Sequence, residues 1–180
     1  MSITNAGGLP AVTLVLGGAR SGKSRHAEAL ITGAAETGTY IATAERGDAE
    51  MAARIAHHRA GRGTFWRTIE EPLAVPDAIV GHADPVRPIL VDCLTLWLAN
   101  LLCAGRVVAH EAEALRGALR DACGPVVLVA NEVGLGLVPE TPLGREFRDE
   151  AGRLNQSVAA LADRVVFVAA GLPLVLKGAA

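Results

Sequence analysis

The most constraining feature of the sequence is a glycine-rich segment near the amino terminus, between an apolar run and a helical pattern. It is Gly17-Gly18-Ala19-Arg20-Ser21-Gly22-Lys23-Ser24, and it follows the apolar residues 12–16. A G-x-x-x-x-G-K-S segment in this context is a P-loop, whose main-chain N–H groups surround phosphate oxygens at the start of a helix. The sequence therefore predicts a nucleoside triphosphate site, with Lys23 beside the terminal phosphates and Ser24 as a ligand of Mg²⁺.

Short apolar runs alternate with helical patterns along the rest of the chain, which predicts an α/β fold with a mostly parallel sheet. We expect strands at residues 12–16, 38–42, 65–69, 88–91, 126–130, 165–168 and 174–176. The predicted helices cover residues 23–32, 48–60, 94–103, 108–122 and 142–162. A polar connection is expected between the third and fourth strands, and a loop at residues 131–141.

The length of 180 residues, with 51% hydrophobic residues, allows one domain with its own core. We expect a single P-loop nucleotide-binding domain over residues 1–180, with residues 1–11 as a flexible leader. The apolar runs are too short for a membrane span, which needs roughly 18 uninterrupted apolar residues. The first ten residues lack the basic region of a signal peptide, so we expect a cytoplasmic protein with no membrane partner.

Charge and cysteine content further limit the class of protein that this sequence can encode. A formal net charge of -2 and a pI near 6.2 lack the basic surface that nucleic-acid binding requires, so no such partner is expected. Cys93, Cys103 and Cys123 are odd in number and have no C-x-x-C spacing. We expect reduced cysteines that serve packing.

Polar residues follow two of the predicted buried strands. Asp92 can lie near Mg²⁺, as carboxylates at this place do in P-loop proteins, or it can cap the next helix. Glu132, after Asn131, can orient Mg²⁺ or an acceptor hydroxyl, or cap a turn. Because parallel strands end at one edge of a sheet, we expect one crevice to collect the loops that begin at Gly17, Thr43, Asp92 and Asn131.

The pair His57-His58 falls near the end of the predicted helix at residues 48–60. Spacing alone favours a buried histidine, or one that complements the helix dipole. Neighbouring residues on a helix point about 100° apart, so the pair does not form one metal site. A neutral imidazole can instead attack the α-phosphorus of a nucleoside triphosphate and expel pyrophosphate.

Together these segments resemble the bifunctional adenosylcobinamide kinase/adenosylcobinamide-phosphate guanylyltransferase family of cobalamin biosynthesis. The resemblance runs in order from about Val12 to Gly178. It is carried by residues 17–28 (G-G-A-R-S-G-K-S-R-H-A-E), 40–44 (Y-I-A-T-A), 50–59 (E-M-A-A-R-I-A-H-H-R), 66–70 (W-R-T-I-E), 91–97 (V-D-C-L-T-L-W), 131–139 (N-E-V-G-L-G-L-V-P), 147–156 (F-R-D-E-A-G-R-L-N-Q) and 171–178.

The resemblance implies a RecA-like P-loop domain, a mostly parallel sheet flanked by helices, and a homotrimer. It implies that ATP or GTP phosphorylates the hydroxyl of adenosylcobinamide, and that GMP then passes from GTP to that phosphate through a guanylylated histidine. His57 and Lys23 are the implied catalytic residues, and Mg²⁺ is held by Ser24 and Asp92. The implied nucleotide-binding residues are Gly17, Gly18, Ala19, Arg20, Ser21, Gly22, Lys23, Ser24, Ile41, Ala42, Thr43, His58, Arg59, Ala60, Gly61, Glu70 and Asp92.

Other functional classes compete with this one. A regulatory GTP-binding module normally carries N-K-x-D, which N-E-V-G at residues 131–134 does not match. A RecA-like ATPase that acts on DNA is disfavoured by the acidic charge balance. A relative that retains only the kinase activity, or only the guanylyltransferase activity, would keep the same motifs, so sequence leaves that alternative open.

Overall fold

The computed structural model describes residues 8–44 and 63–179, and every structural statement below concerns this part of the chain. The predicted helix at residues 48–60, with His57 and His58, lies outside it. In chain order the elements are β1 (Val12–Gly17), α1 (Lys23–Thr32), β2 (Gly38–Ala42), a 3₁₀ turn (Gly63–Phe65), β3 (Trp66–Glu70), α2 (Val75–His82), β4 (Ile89–Asp92), α3 (Leu94–Cys103), α4 (Val108–Asp121), β5 (Val126–Asn131), α5 (Pro142–Leu161), β6 (Arg164–Ala169) and β7 (Leu172–Lys177).

These strands form one seven-stranded sheet in the order β3-β2-β4-β5-β1-β6-β7. Neighbouring strands run parallel except β7, which pairs with β6 as an antiparallel hairpin at one edge. The predicted α/β class with a mostly parallel sheet is therefore confirmed. None of the helices in the described part of the chain has the length and apolar character needed to cross a membrane.

The central strands are apolar on both faces because helices cover both sides of the sheet. Leu14 and Leu16 of β1 face a core cluster that includes apolar residues of α2, α3, α4 and α5. Val15, between them, faces the other side, where it packs in a cluster with Ala27 and Ile31 of α1. The alternation of side chains along a strand thus feeds two cores, with the P-loop helix on one face and four helices on the other.

One predicted element is wrong. The connection between β3 and β4 is predicted only as polar, with no helix, but it contains α2. Val75 and Ile79 lie one helical turn apart and are fully buried against the sheet, and Pro76 occupies the first turn, where proline is tolerated. The Glu71 carboxylate accepts hydrogen bonds from the N–H groups of Leu73 (2.9 Å) and Ala74 (2.7 Å), which satisfies donors at the helix start.

The packed part of the chain also begins earlier than expected. Leu9, within the predicted flexible leader, is 7% exposed and packs in the cluster on the α1 face. Just after it, the Ala11 carbonyl accepts a hydrogen bond from Val126 N–H. The packing of Leu9 and the main-chain hydrogen bond to β5 therefore order residues for which the sequence predicted no fixed structure.

The turn that enters β5 offers a stability test, because a main-chain carbonyl lies directly over Gly124. A Cβ at Gly124 would overlap the Asp84 carbonyl, so Gly124→Ala should lower the free energy of unfolding by about 1–3 kcal/mol. A Cβ at Gly117, inside α4, meets nothing within 4 Å, so Gly117→Ala should raise stability by up to about 1 kcal/mol. Urea unfolding measures both; equal midpoints for the two variants would contradict this packing.

Candidate active site

The predicted P-loop is a tight turn between β1 and α1. β1 ends at Gly17, the helix begins at Lys23, and both Arg20 (φ 57°) and Gly22 (φ 94°) adopt the left-handed conformation. A Cβ at Gly17 would lie 2.5 Å from both the Ser21 hydroxyl and the Val168 carbonyl oxygen. Only glycine fits there, so the loop can curl closely over the end of the sheet.

Lys23 is directed back at its own loop. Its side chain is 9% exposed, and Nζ donates a hydrogen bond to the Gly18 carbonyl at 3.2 Å. The ammonium therefore lies inside the turn, next to the N–H groups at the start of α1. Positive potential from the lysine and from the helix terminus is concentrated at one point, as phosphate binding requires.

The hairpin of β6 and β7 supports the P-loop from the outside. Gly171 N–H donates to the Ser21 carbonyl at 2.8 Å, and a Cβ at Gly22 would lie 3.3 Å from Gly171 Cα. Ala170 (φ 51°) and Gly171 (φ 80°) form the left-handed turn of this hairpin. Gly171 lies in a segment that resembles the family, but the sequence indicates no role for it. The contacts of Gly171 identify it as a support for the phosphate loop.

Several predicted site residues end neighbouring strands at the same edge of the sheet. Ala42 pairs in register with Glu70 on one side and with Asp92 on the other. Gly17 pairs in register with Asn131. The sequence predicts that Gly17, Asp92 and Asn131 begin loops. Main-chain pairing extends to each of them, so they are instead the last residues of their strands. The strand register brings together, at one edge of the sheet as expected, Gly17, Thr43, Asp92 and Asn131.

Asp92 is oriented by a tyrosine that sequence analysis did not single out. The Tyr40 hydroxyl donates to Asp92 Oδ2 at 2.7 Å, and Tyr40 is 2% exposed. The alternative role, capping the following helix, is wrong: Cys93 occupies the cap position of α3, and no side chain makes a cap hydrogen bond there. The hydroxyl instead fixes the carboxylate at the end of β4.

Cys93 sits next to that carboxylate and remains a neutral thiol. Burial, and then the negative charge of Asp92, raises the pKa of Cys93 to about 11. The positive charge of Lys23 acts on the same pKa in the opposite direction, as the smallest of the effects. At neutral pH Cys93 therefore adds no thiolate beside the Asp92 carboxylate.

Thr43, directly after β2, is held on every polar atom. Its N–H donates to the Asp92 carbonyl at 3.2 Å, and its hydroxyl donates to the Cys93 carbonyl and accepts from Cys93 N–H, both at 2.8 Å. The Thr43 carbonyl accepts from Asn100 Nδ2 at 2.8 Å. Ile41, by contrast, is fully buried in the core, so its side chain faces away from any ligand.

The end of β5 is fixed by side chains from two helices. Thr95 Oγ1 of α3 accepts from Asn131 N–H at 2.7 Å, and Asn155 Nδ2 of α5 donates to the Asn131 carbonyl at 3.3 Å. Glu132 N–H donates to the Gly17 carbonyl at 3.1 Å, and Glu132 Oε1 accepts from Gly134 N–H at 2.6 Å. Of the two roles left open for Glu132, turn capping is the one the structure displays.

The remaining predicted residues have mixed outcomes. The residues at positions 57–61, which are His57, His58, Arg59, Ala60 and Gly61, lie outside the described residues, so their placement stays a prediction.

The three cysteines differ in exposure. Cys93 is buried as expected for a packing cysteine, but Cys103 and Cys123 are exposed and that expectation is wrong for them. Cys103 is the last residue of α3, and Cys123 follows α4.

Mg²⁺ is compatible with the residues at this edge. Ser24 offers a hydroxyl in the first turn of α1, and Asp92 offers a carboxylate, both oxygen ligands of the kind Mg²⁺ prefers. In the described part of the chain, no three His, Cys, Asp or Glu side chains converge as a metal site.

Fold and site together define a P-loop nucleotide-binding protein of the RecA-like class. A solved structure of similar fold is the flagellar accessory protein FlaH from Methanocaldococcus jannaschii. It has a TM-score of 0.54 and 12% sequence identity, and the similarity covers 97% of this chain and 80% of that one. At this identity the likeness establishes the fold alone.

Sequence comparison identifies the family. Residues 13–176 match the cobinamide kinase / cobinamide phosphate guanyltransferase family. The bifunctional adenosylcobalamin biosynthesis protein CobP of Pseudomonas aeruginosa is 53% identical over 170 residues, covering 92% of this chain and 96% of the relative. CobU of Salmonella typhimurium, of the same description, is 46% identical over 179 residues, covering 91% and 98%. The chain belongs to this cobinamide kinase and guanyltransferase family, as the sequence motifs predicted.

The state of Cys93 gives a direct test of the site's electrostatics. A thiol with a pKa of about 11 is thiolate in about one molecule in a thousand at pH 8, and Cys93 is also buried. Iodoacetamide should therefore alkylate Cys103 and Cys123 of the native protein well before Cys93, which should react only after denaturation. Mass spectrometry of timed digests measures this, and fast alkylation of native Cys93 would contradict it.

Proposed function

We propose that this chain phosphorylates the aminopropanol hydroxyl of adenosylcobinamide with a nucleoside triphosphate, and then transfers GMP from GTP to the new phosphate. The observation that carries the proposal is the match to both named activities over residues 13–176, in a chain that also has a formed P-loop. The products would be adenosylcobinamide-GDP and pyrophosphate.

For phosphoryl transfer, the chain supplies positioning and charge. The N–H groups of Gly17–Ser24 would surround the phosphates, and phosphate oxygens would replace the Gly18 carbonyl as the partner of Lys23. Ser24 and Asp92 would hold Mg²⁺, which would neutralise developing charge on the transferred group. Tyr40 supports this arrangement because it keeps the Asp92 carboxylate in one orientation.

For guanylyl transfer, the chain would use His57 as a nucleophile. A neutral imidazole nitrogen attacks the α-phosphorus of GTP, the bond to the bridging oxygen breaks, and pyrophosphate leaves. The cobinamide phosphate then attacks the same phosphorus, and the histidine is released. Ile41, Ala42 and Thr43 at the end of β2, Glu70 at the end of β3, and His58–Gly61 are the proposed GTP contacts, through main chain in the case of buried Ile41.

We also propose that the protein is a single-domain, cytoplasmic homotrimer, as the family resemblance implies. The edge strand β7 supports association, because Leu172, Leu174 and Leu176 are 57–72% exposed along it. Among the described residues no strand pairs with the outer edge of β7, and exposed apolar side chains repeated along such a strand are typical of a surface that another chain covers.

The histidine mechanism predicts a separation of the two activities. Incubation with Mg²⁺ and GTP labelled at the α-phosphate should label wild-type protein on His57 with an acid-labile bond. His57→Ala should lower guanylyl transfer by at least about 10³-fold yet keep substantial kinase activity, because only guanylyl transfer needs a covalent intermediate. Peptide mapping identifies the labelled residue, and the kinase is assayed separately with ATP.

Two further variants serve as controls. His58→Ala keeps the nucleophile and should still take label at saturating GTP, whereas Lys23→Ala should impair both activities because both use the phosphate loop. Equal loss of both activities in folded His57→Ala would reject the proposed separation. Tight GTP binding with no label on the wild type would favour a kinase-only relative.

A further inference from the structure

The side-chain amide of Asn100, on α3, joins two loops at the site edge of the sheet. Its Nδ2 donates to the Thr43 carbonyl at 2.8 Å and to the Pro72 carbonyl at 3.0 Å. An amide NH₂ group has two protons, so both are used on these two bonds. One carbonyl follows β2 and the other follows β3, so a single side chain joins the main chain just beyond these two strands.

On the β2 side, the bond completes the anchoring of a fully buried residue. Thr43 is 0% exposed, and its N–H and hydroxyl bind the main chain of Asp92 and Cys93. Its carbonyl depends on Asn100 instead. Loss of the amide would leave this buried carbonyl without a donor among the described residues, at a point where every other polar atom of the residue is fixed.

On the β3 side, the bond holds the loop that follows Glu70. Glu71 N–H donates to the Ala42 carbonyl at 2.9 Å, and the Glu71 carboxylate accepts from the N–H groups of Leu73 and Ala74, just before α2. Pro72 lies between Glu71 and Leu73, whose carbonyl accepts from Trp97 Nε1 at 2.8 Å. Trp97 and Asn100 thus hold the same loop from one helix, but only Asn100 links it to Thr43.

We propose that Asn100 is a positioning residue for the guanylyltransferase reaction. Its two bonds join the main chain of Thr43 to that of Pro72, two residues after Glu70, and Thr43 and Glu70 are two proposed GTP contacts. The P-loop is supported by different contacts, such as the Gly171 N–H bond to the Ser21 carbonyl. Asn100 therefore acts on guanylyl transfer more than on phosphoryl transfer. This inference rests on the function proposed above.

The test compares the two activities in Asn100→Leu, which keeps the branching at Cγ and has no donor. The single-turnover rate of label transfer from α-labelled GTP should fall about 10- to 100-fold, because small misplacements of reacting groups have effects of that size. The kinase rate with ATP should fall several-fold less. Trp97→Phe is the matched control: it removes one hydrogen bond from the same helix to the same loop without touching Thr43, and should leave the ratio of the two rates unchanged.

Asn100→Ser, which leaves room for a bridging water, provides the same comparison if the leucine variant does not fold, and should give an intermediate ratio. Label transfer at the wild-type rate in either folded variant would overturn the inference. So would an equal fall in both activities, or a Trp97→Phe variant with the same altered ratio. A wild-type protein that takes no label would instead reject the histidine mechanism on which the inference rests.

Discussion

The parallel pairing of β1 with β5 is the constraint on which the rest of the site depends. Register places Gly17, the first residue of the P-loop, opposite Asn131, and Glu132 N–H closes onto the Gly17 carbonyl at 3.1 Å. β5 also pairs with β4, which ends at Asp92. One set of main-chain hydrogen bonds therefore fixes the P-loop and the carboxylate relative to each other before any side chain contributes.

Side-chain hydrogen bonds then orient the residues at this edge of the sheet. Tyr40 orients Asp92, Thr95 and Asn155 hold the main chain of Asn131, and Asn100 holds Thr43. Each is a buried or partly buried polar group whose partner is supplied by a neighbouring element, which is how polar groups are accommodated in a core. The arrangement leaves the proposed phosphate and metal ligands on a rigid support, with the neutral thiol of Cys93 beside the carboxylate.

Local patterns were sufficient to predict much of the fold. The P-loop and the central strands were predictable because glycine spacing and continuous apolar runs have few structural solutions. Helix α2 is harder to predict because it is only eight residues long and includes Pro76. Tyr40, Asn100 and Asn155 were not assigned roles because their importance arises from partners 24 to 57 residues away in the chain, which no local pattern records. Family resemblance supplied what spacing could not, above all the role proposed for His57.

Titration calorimetry with non-hydrolysable ATP and GTP analogues in the presence of Mg²⁺ tests most directly whether one phosphate cradle, the P-loop, serves both proposed reactions. With one P-loop at the edge that also carries Asp92, each analogue should bind once per chain, and saturation with the GTP analogue should abolish the heat of binding of the ATP analogue. Undiminished binding of the ATP analogue to protein already saturated with the GTP analogue would show two independent sites and contradict the shared cradle.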